Sequence, residues 1–215
     1  MISNKLAVLT TLGLLLSACS STPPKVEWVV DRGFDPFTDE QTCKVTTASL
    51  YTKSATYTYS NHLYPFIEKI NGEIAVGLRS GGKFKVPVGN IQLRIDKNDA
   101  WEIFTSETPV VDTNEVSQPN VMSGYIDNLP KKQKELVVNS YNAAMTSTGK
   151  MLSPYTATTG EKAKTIIKEM LQGDVLIYRT TGLSNVPNYT ESSTGTFLLD
   201  ASLKSAMDKC NLTIK

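Results

Sequence analysis

Side chains able to carry chemistry are sparse in this chain of 215 residues. His62 is the single histidine. A site built on two or three imidazoles therefore cannot form within one chain, and a serine or cysteine triad would have to use this residue as its base. It stands in "YSNHLYP", among aromatics and ahead of a proline, which reads as a turn or strand end. No serine elbow of the G-x-S-x-G type accompanies it. In "DKNDAWEIFTSE", residues 96–107, Asp96, Asn98 and Glu107 hold the first, third and twelfth positions of a calcium loop. Ala100 and Trp101 stand where a ligand and the turn-making glycine belong, so the stretch reads as a hairpin turn. "RSGGKFK", residues 79–85, gathers glycines and cations but no helix start follows, so it reads as a solvated hairpin end. Asp35, Asp39 and Glu40 offer acid and base groups of the glycosidase kind, a role that depends on their separation in space. Tyr51, Tyr57, Tyr59 and Tyr64 recur in "YTKSATYTYSNHLYPF". They are a candidate binding surface, a groove for peptide or glycan, although cross-strand pairing produces the same pattern. No cofactor or metal set emerges, and the expectation is a protein that is not an enzyme.

Cysteine chemistry is more specific. "MISNK" carries one positive side chain and "LAVLTTLGLLL" follows as an uncharged run of eleven, the first two regions of a secretory signal. As a helix the run covers roughly 16 Å, about half of a bilayer's hydrocarbon core, and cannot span it. Leu16, Ser17, Ala18 and Cys19 resemble the bacterial lipobox, in which lipid is added to the cysteine thiol before cleavage on its amino side. The resemblance implies a signal peptide over residues 1–18 and a mature chain whose first residue, Cys19, carries diacylglyceryl and an N-acyl chain of the palmitate kind. Ser20 and Ser21 follow in place of the aspartate associated with inner-membrane retention, which implies the outer membrane, with the periplasmic face and the cell surface both open. Residues 19–26 contain "SSTPPK", a polar, proline-bearing tether. Lipidation of Cys19 leaves Cys43 and Cys210 as an even pair in an oxidising compartment, and a disulfide between them is expected.

Removal of residues 1–18 takes Lys5 with it and leaves 197 residues with 21 basic and 21 acidic side chains. That balance argues against a nucleic-acid partner, which needs a basic face. The length suits one domain over residues 27–215.

The elements that must position these groups follow from periodicity. "VEWVV", "CKVTTASLYTKSATYTY", "GEIAVGLRS", "NIQLRID" and "WEIF" are short and rich in β-branched and aromatic residues. "NG", "SGG" and "DKND" separate several of them as turns. In "GEIAVGLRS", Ile74, Val76 and Leu78 predict one buried face. Residues 105–119 read as a loop. Leu136, Val137, Ser140, Tyr141, Ala144 and Met145 then predict an amphipathic helix after Pro130, whose polar start is "PKKQKE". Thr158 and Glu161 have capping-box spacing ahead of Ala163, Ile166, Ile167, Met170 and Leu171, with Gly173 as the stop. "DVLIYRTTG" and "TGTFLLD" read as strands, and Asp200 can cap a last helix that buries Leu203, Ala206, Met207 and Cys210. The fold class is α+β: a mostly antiparallel sheet in the N-terminal half with two or three helices packed on it.

Trp28 in an early strand, Cys43 soon after it, and a final strand leading into "LDASLKSAMDKC" are similar to the exported invasion-associated locus B family. The likeness is confined to the two chain ends. It implies a small, exported, β-rich envelope or host-interaction protein and transfers no active-site residue. Together these readings predict a lipid-anchored binding or accessory module of the cell envelope, its partner an envelope protein or host molecule. Two alternatives are an envelope hydrolase using His62 or a carboxylate pair, and a carrier of small apolar ligands.

Overall fold

The computed structural model describes residues 27–34, 36–37, 39–47, 63–81, 85–110, 123–182 and 194–214. Cys19 and its surroundings, Tyr51, Tyr57, Tyr59, His62 and Asp35 lie outside the described residues. The chain folds as α+β. Strands β1 (Trp28–Phe34), β2 (Gln41–Thr47), β3 (Leu63–Ile70), β4 (Glu73–Ser80), β5 (Asn90–Ile95) and β6 (Trp101–Ile103) come first, followed by a 3-10 turn, Thr105–Glu107. Helices α1 (Ser123–Ile126) and α2 (Lys131–Met151), strand β7 (Tyr155–Thr158), helix α3 (Gly160–Gln172), strands β8 (Val175–Gly182) and β9 (Thr194–Leu198), and helix α4 (Ala201–Lys209) complete it.

The strands form two antiparallel sheets, ordered β1-β2-β3-β4-β7 and β6-β5-β8-β9. Each sheet is thus completed by strands from the second half of the chain. Local chemistry sets the hairpins. Asn71 and Gly72, with φ of 51° and 81°, make the two-residue turn that pairs Ile70 with Glu73 and runs on to Leu63 opposite Ser80. The stretch once resembling a calcium loop is the turn between β5 and β6, which pair from Leu93–Trp101 to Ile91–Ile103. β2 and β3 pair only as far as Thr46–Phe66, because Pro65 next along has no N–H to donate. The Thr46 hydroxyl donates instead to the Pro65 carbonyl, at 2.8 Å.

One hydrophobic cluster joins the inner faces of both sheets to α3 and α4. Val45, Ile67, Val76 and Leu78 meet Ile91, Leu93, Ile103 and Leu176, with Ile166, Ile167, Leu203 and Met207 from the helices. Tyr178 also crosses between sheets: its phenol oxygen accepts from the Leu63 N–H at 3.0 Å. Opposite Tyr178 in the register stands Gly195, where a Cβ would lie 2.3 Å from the ring. The ends of the chain are tied together. Trp28 donates through Nε1 to the Leu198 carbonyl at 2.9 Å and through its backbone N–H to Ser202 Oγ at 3.0 Å. Ser202 donates through its N–H and Oγ to Asp200 Oδ1, the α4 cap. Cys43 and Cys210 form a disulfide with Cα atoms 5.5 Å apart.

Four expectations need correction. β4 is covered on both sides at its centre: Ile74 is only partly buried, while Ala75 and Gly77 are buried on the other face, where Phe66, Ile70 and Ala157 form a second cluster. Gly77 is required there, since a Cβ would lie 2.0 Å from the Thr156 carbonyl oxygen. Thr158 is not a helix cap. It belongs to β7, a strand unforeseen in the sequence because four residues carry too little periodicity, and α3 starts at Gly160 without a side-chain cap. Leu171 is exposed on α3, and Gly173 ends that helix at a φ of −92°, its role being closeness, since a Cβ would lie 2.4 Å from Ile95 Cγ2. Finally, no α2 residue is buried, and Leu136 is 68% exposed. Periodicity marked the helix correctly but does not say whether a face finds a partner.

The disulfide closes a loop of 167 positions. Replacing Cys43 and Cys210 together with serine is expected to destabilise the domain by up to roughly 4 to 5 kcal/mol, the chain-entropy limit for so long a loop. Urea unfolding of the oxidised wild type and the double variant measures it.

A groove beside helix α2

The longest helix and the chain that follows β6 enclose a surface groove of about 640 Å³. One wall is the C-terminal half of α2, where Asn142, Thr146, Gly149 and Lys150 recur on one side of the helix. The facing wall is the short run Thr108, Pro109 and Val110. Leu152, Pro154 and Tyr155 form the floor, where the chain turns from α2 into β7. Apolar lining is left open to solvent: Val110 is 47%, Met145 46% and Leu152 60% exposed.

Each wall is held by specific bonds. Lys150 Nζ donates to the Ser106 carbonyl at 2.6 Å and bridges α2 to the 3-10 turn. The Tyr155 hydroxyl donates to the Pro109 carbonyl at 2.9 Å, and Asn71 Nδ2 to the Val110 carbonyl, also at 2.9 Å. Burial, with the Glu68 charge adding to it, pushes the Tyr155 phenol above its ordinary value, so it stays protonated as a donor. Its ring stands edge-on to Phe66, with centroids 5.8 Å apart.

Behind the wall, Glu107 ties the turn to the body of the protein. Its carboxylate accepts from Lys162 Nζ at 2.8 and 3.0 Å, from Thr158 Oγ1 at 2.9 Å and from the Phe104 N–H at 3.1 Å. Burial by itself would raise the Glu107 value. The bonds from Lys162, Phe104 and Thr158, with the Lys162 charge, outweigh it and hold the carboxyl below the ordinary range. Glu107 is therefore a structural group, and so is Asp96, which accepts from the Asp174 and Val175 N–H groups.

The candidates read from the sequence fall elsewhere. Tyr64 is buried in β3 and is not an open stacking platform. Asp39 and Glu40 lie exposed between β1 and β2. Of the "RSGGKFK" cations, Arg79 is on β4 and Lys85 beyond it. Burial, then the Arg79 and Lys44 charges, pushes the Lys85 ammonium below its usual value, with Asp31 opposing. Among the described residues no cluster of three or more His, Cys, Asp or Glu side chains is placed to hold a metal ion. No helix among them is long and apolar enough to cross a membrane. The groove had no motif to reveal it: its walls come from a stretch that reads as loop and from a helix whose surfaces read as core and solvent. No protein-family model matches the chain, and no curated protein or solved structure is significantly similar to it.

Because Glu107 has a lowered value when folded, its contribution to stability is full above the ordinary carboxylate range. It is lost as pH falls through the lowered value. Glu107→Gln is expected to cost about 1 kcal/mol at neutral pH, the scale of a half-exposed pair with its hydrogen bonds. The cost should shrink toward acid pH, and thermal unfolding of both proteins across pH 2 to 7 measures it.

Proposed function

We propose that this protein is a lipid-anchored module of the cell envelope that binds rather than transforms its ligand, and that the groove beside α2 receives an apolar segment of an envelope partner. The observation that carries the binding half is the groove itself: exposed Val110, Met145 and Leu152 in a concave surface whose walls are pinned by Tyr155 and Lys150. Such lining suits recognition of apolar groups, with Asn142 and Thr146 available to orient a peptide. The anchor half rests on Leu16–Cys19 and the polar tether that follows, with Ser20 favouring the outer membrane. The size of the groove also favours a second reading, carriage of a small apolar ligand, since about 640 Å³ lies within the range of ligand sites.

Two experiments test this. Cys19→Ala should shift the protein from the membrane fraction to a soluble or unprocessed form, and intact mass of the wild type should show acylation; an unmodified mature Cys19 refutes the anchor. For the groove, a photo-crosslinking residue at Asn142 should capture a discrete partner in cells, and the band should disappear when Gly149→Trp fills the groove. A Cβ at Gly149 meets nothing within 4 Å, so that variant is expected to fold. A band that persists in the filled variant places binding elsewhere; recovery of lipid or a small ligand alone favours the carrier.

A further inference from the structure

We propose that β9 is a pairing edge to which a second copy of this protein adds its own β9, so that the four-stranded sheets of both copies run on as one. The two sheets have four edge strands, β1, β7, β6 and β9, and an edge strand presents backbone groups that another chain can pair with unless something covers them. Three are covered. Helix α4 lies along β1, with Ser202 Oγ accepting from the Trp28 N–H and the Lys209 carbonyl from the Arg32 side chain. On β7, Ser153 Oγ accepts from the Tyr155 N–H at 3.2 Å and Thr108 Oγ1 from the Ala157 N–H at 3.4 Å. On β6, Lys162 Nζ donates to the Glu102 carbonyl. β9 differs. Leu199 donates to the Asp174 carbonyl at 2.8 Å, so by alternation Phe197 and Gly195 bond to β8, while Leu198, Thr196 and Thr194 turn their backbone groups outward. Trp28 Nε1 takes the Leu198 carbonyl. Thr194 and Thr196 are exposed, and among the described residues nothing bonds to their outward N–H and C=O groups. The strand, TGTFL, also lacks the charge or proline that guards an open edge.

Self-complementarity selects the occupant. A two-fold axis through Gly195 sets Thr194 of each copy opposite Thr196 of the other in antiparallel sense, and pairs every outward N–H and C=O of these two residues with its counterpart. Threonine then faces threonine on the outer face, a favourable cross-strand pair, and no charges stand opposed. Arg179, a cation exposed on that face, sits in β8 opposite Thr194. Its counterpart in the second copy is at least three strand spacings away, roughly 14 Å and beyond a Debye length at physiological salt. Gly195 stands at the axis, where opposed backbones come closest, about 4.5 Å between Cα atoms, and brings no side chain there. The start of the folded chain fits this arrangement. Trp28 bonds to Leu198, three residues from the axis, so the two tethers begin roughly 20 Å apart at ~3.3 Å per residue. Each tether, nine residues from Cys19 to Trp28, can span at most ~30 Å. Both lipids can therefore reach one leaflet. That point rests on the Cys19 anchor proposed above, whereas the pairing does not. Copies anchored in one leaflet share a surface, which raises their effective concentration and makes a short pairing sufficient.

The test places charge on the strand. One variant carries Thr194→Lys with Thr196→Lys, another Thr194→Glu with Thr196→Glu. Both side chains are exposed and neither N–H bonds to β8, so both variants are expected to fold, which thermal unfolding checks. Should one fail to fold, Thr196→Pro serves instead, since it removes an outward N–H without touching the β8 ladder. Each full mature lipoprotein is sedimented to equilibrium in density-matched detergent. The wild type should show the mass of two copies. Each variant alone should show the mass of one, because like charges would then stand opposed at every pair, and an equal mixture of the lysine and glutamate variants should return to two. A wild type that keeps the mass of one copy at every concentration overturns the proposal. So does a dimer that persists unchanged in either variant alone, which would place the contact elsewhere, and so does a mixture that fails to pair. Intact mass reports the anchor separately: with an unacylated Cys19, the same sedimentation without detergent reads the pairing by itself.

Discussion

The joining of the first strand to the last helix is the constraint on which the remaining architecture depends. Cys43 lies in β2 and Cys210 just beyond α4, and the disulfide between them is supported by three nearby hydrogen bonds. Trp28 bonds to the Leu198 carbonyl and to Ser202, and Arg32 donates to the Lys209 carbonyl at 3.1 Å. One edge of the five-stranded sheet is thereby placed against the end of the four-stranded sheet and its following helix. With that edge set, the inner faces of both sheets have no surface to bury but each other, α3 and α4, which is where the main cluster sits. The disulfide acts mainly by reducing the freedom of the unfolded chain, whereas Trp28 and Ser202 contribute in the folded state alone.

A second seam closes the other side by polar means. The 3-10 turn after β6 is tied through Glu107 to Thr158 of β7 and Lys162 of α3, and Lys162 also reaches the Glu102 carbonyl. A single carboxylate thus links one sheet, the edge strand of the other and a helix. The groove is a by-product of this seam with a consequence. Because Glu107 fixes the turn, the run Thr108–Val110 projects beside α2, where Tyr155 bonds to the Pro109 carbonyl and Lys150 to the Ser106 carbonyl in the turn itself. An apolar concavity persists in water where polar bonds hold its walls apart, since its exposed side chains would otherwise collapse on one another.

α2 is the element that the packing of the domain leaves out. It runs for 21 residues with none buried, a length for which tertiary contact normally supplies most helical stability. Its first turn contains lysines and no acid, against the sense of the helix dipole. A sequence that departs from local preference in this way gains its advantage elsewhere, and the groove that α2 walls is the feature it supplies.

Much of this was readable in the amino-acid order, wherever the determining interaction is local. Asn71 and Gly72 make a tight turn because of their own backbone freedom, Asp200 caps α4 with its own side chain, and Ala163, Ile166, Ile167 and Met170 share a face by the pitch of any α-helix. The α+β class follows from those periods, and the Cys43–Cys210 pairing was inferred from cysteine arithmetic, with no local signal. What depends on distant partners was hidden. β7 is too short to show a period and exists because β4 offers it a ladder. Thr158 looks like a cap until Glu107, 51 positions away, accepts its hydroxyl. Leu136 and Met145 look like core until the packing of α3 and α4 has filled the interior without them. Burial is decided by competition among all elements for a finite interior, and no window of sequence contains the competitors.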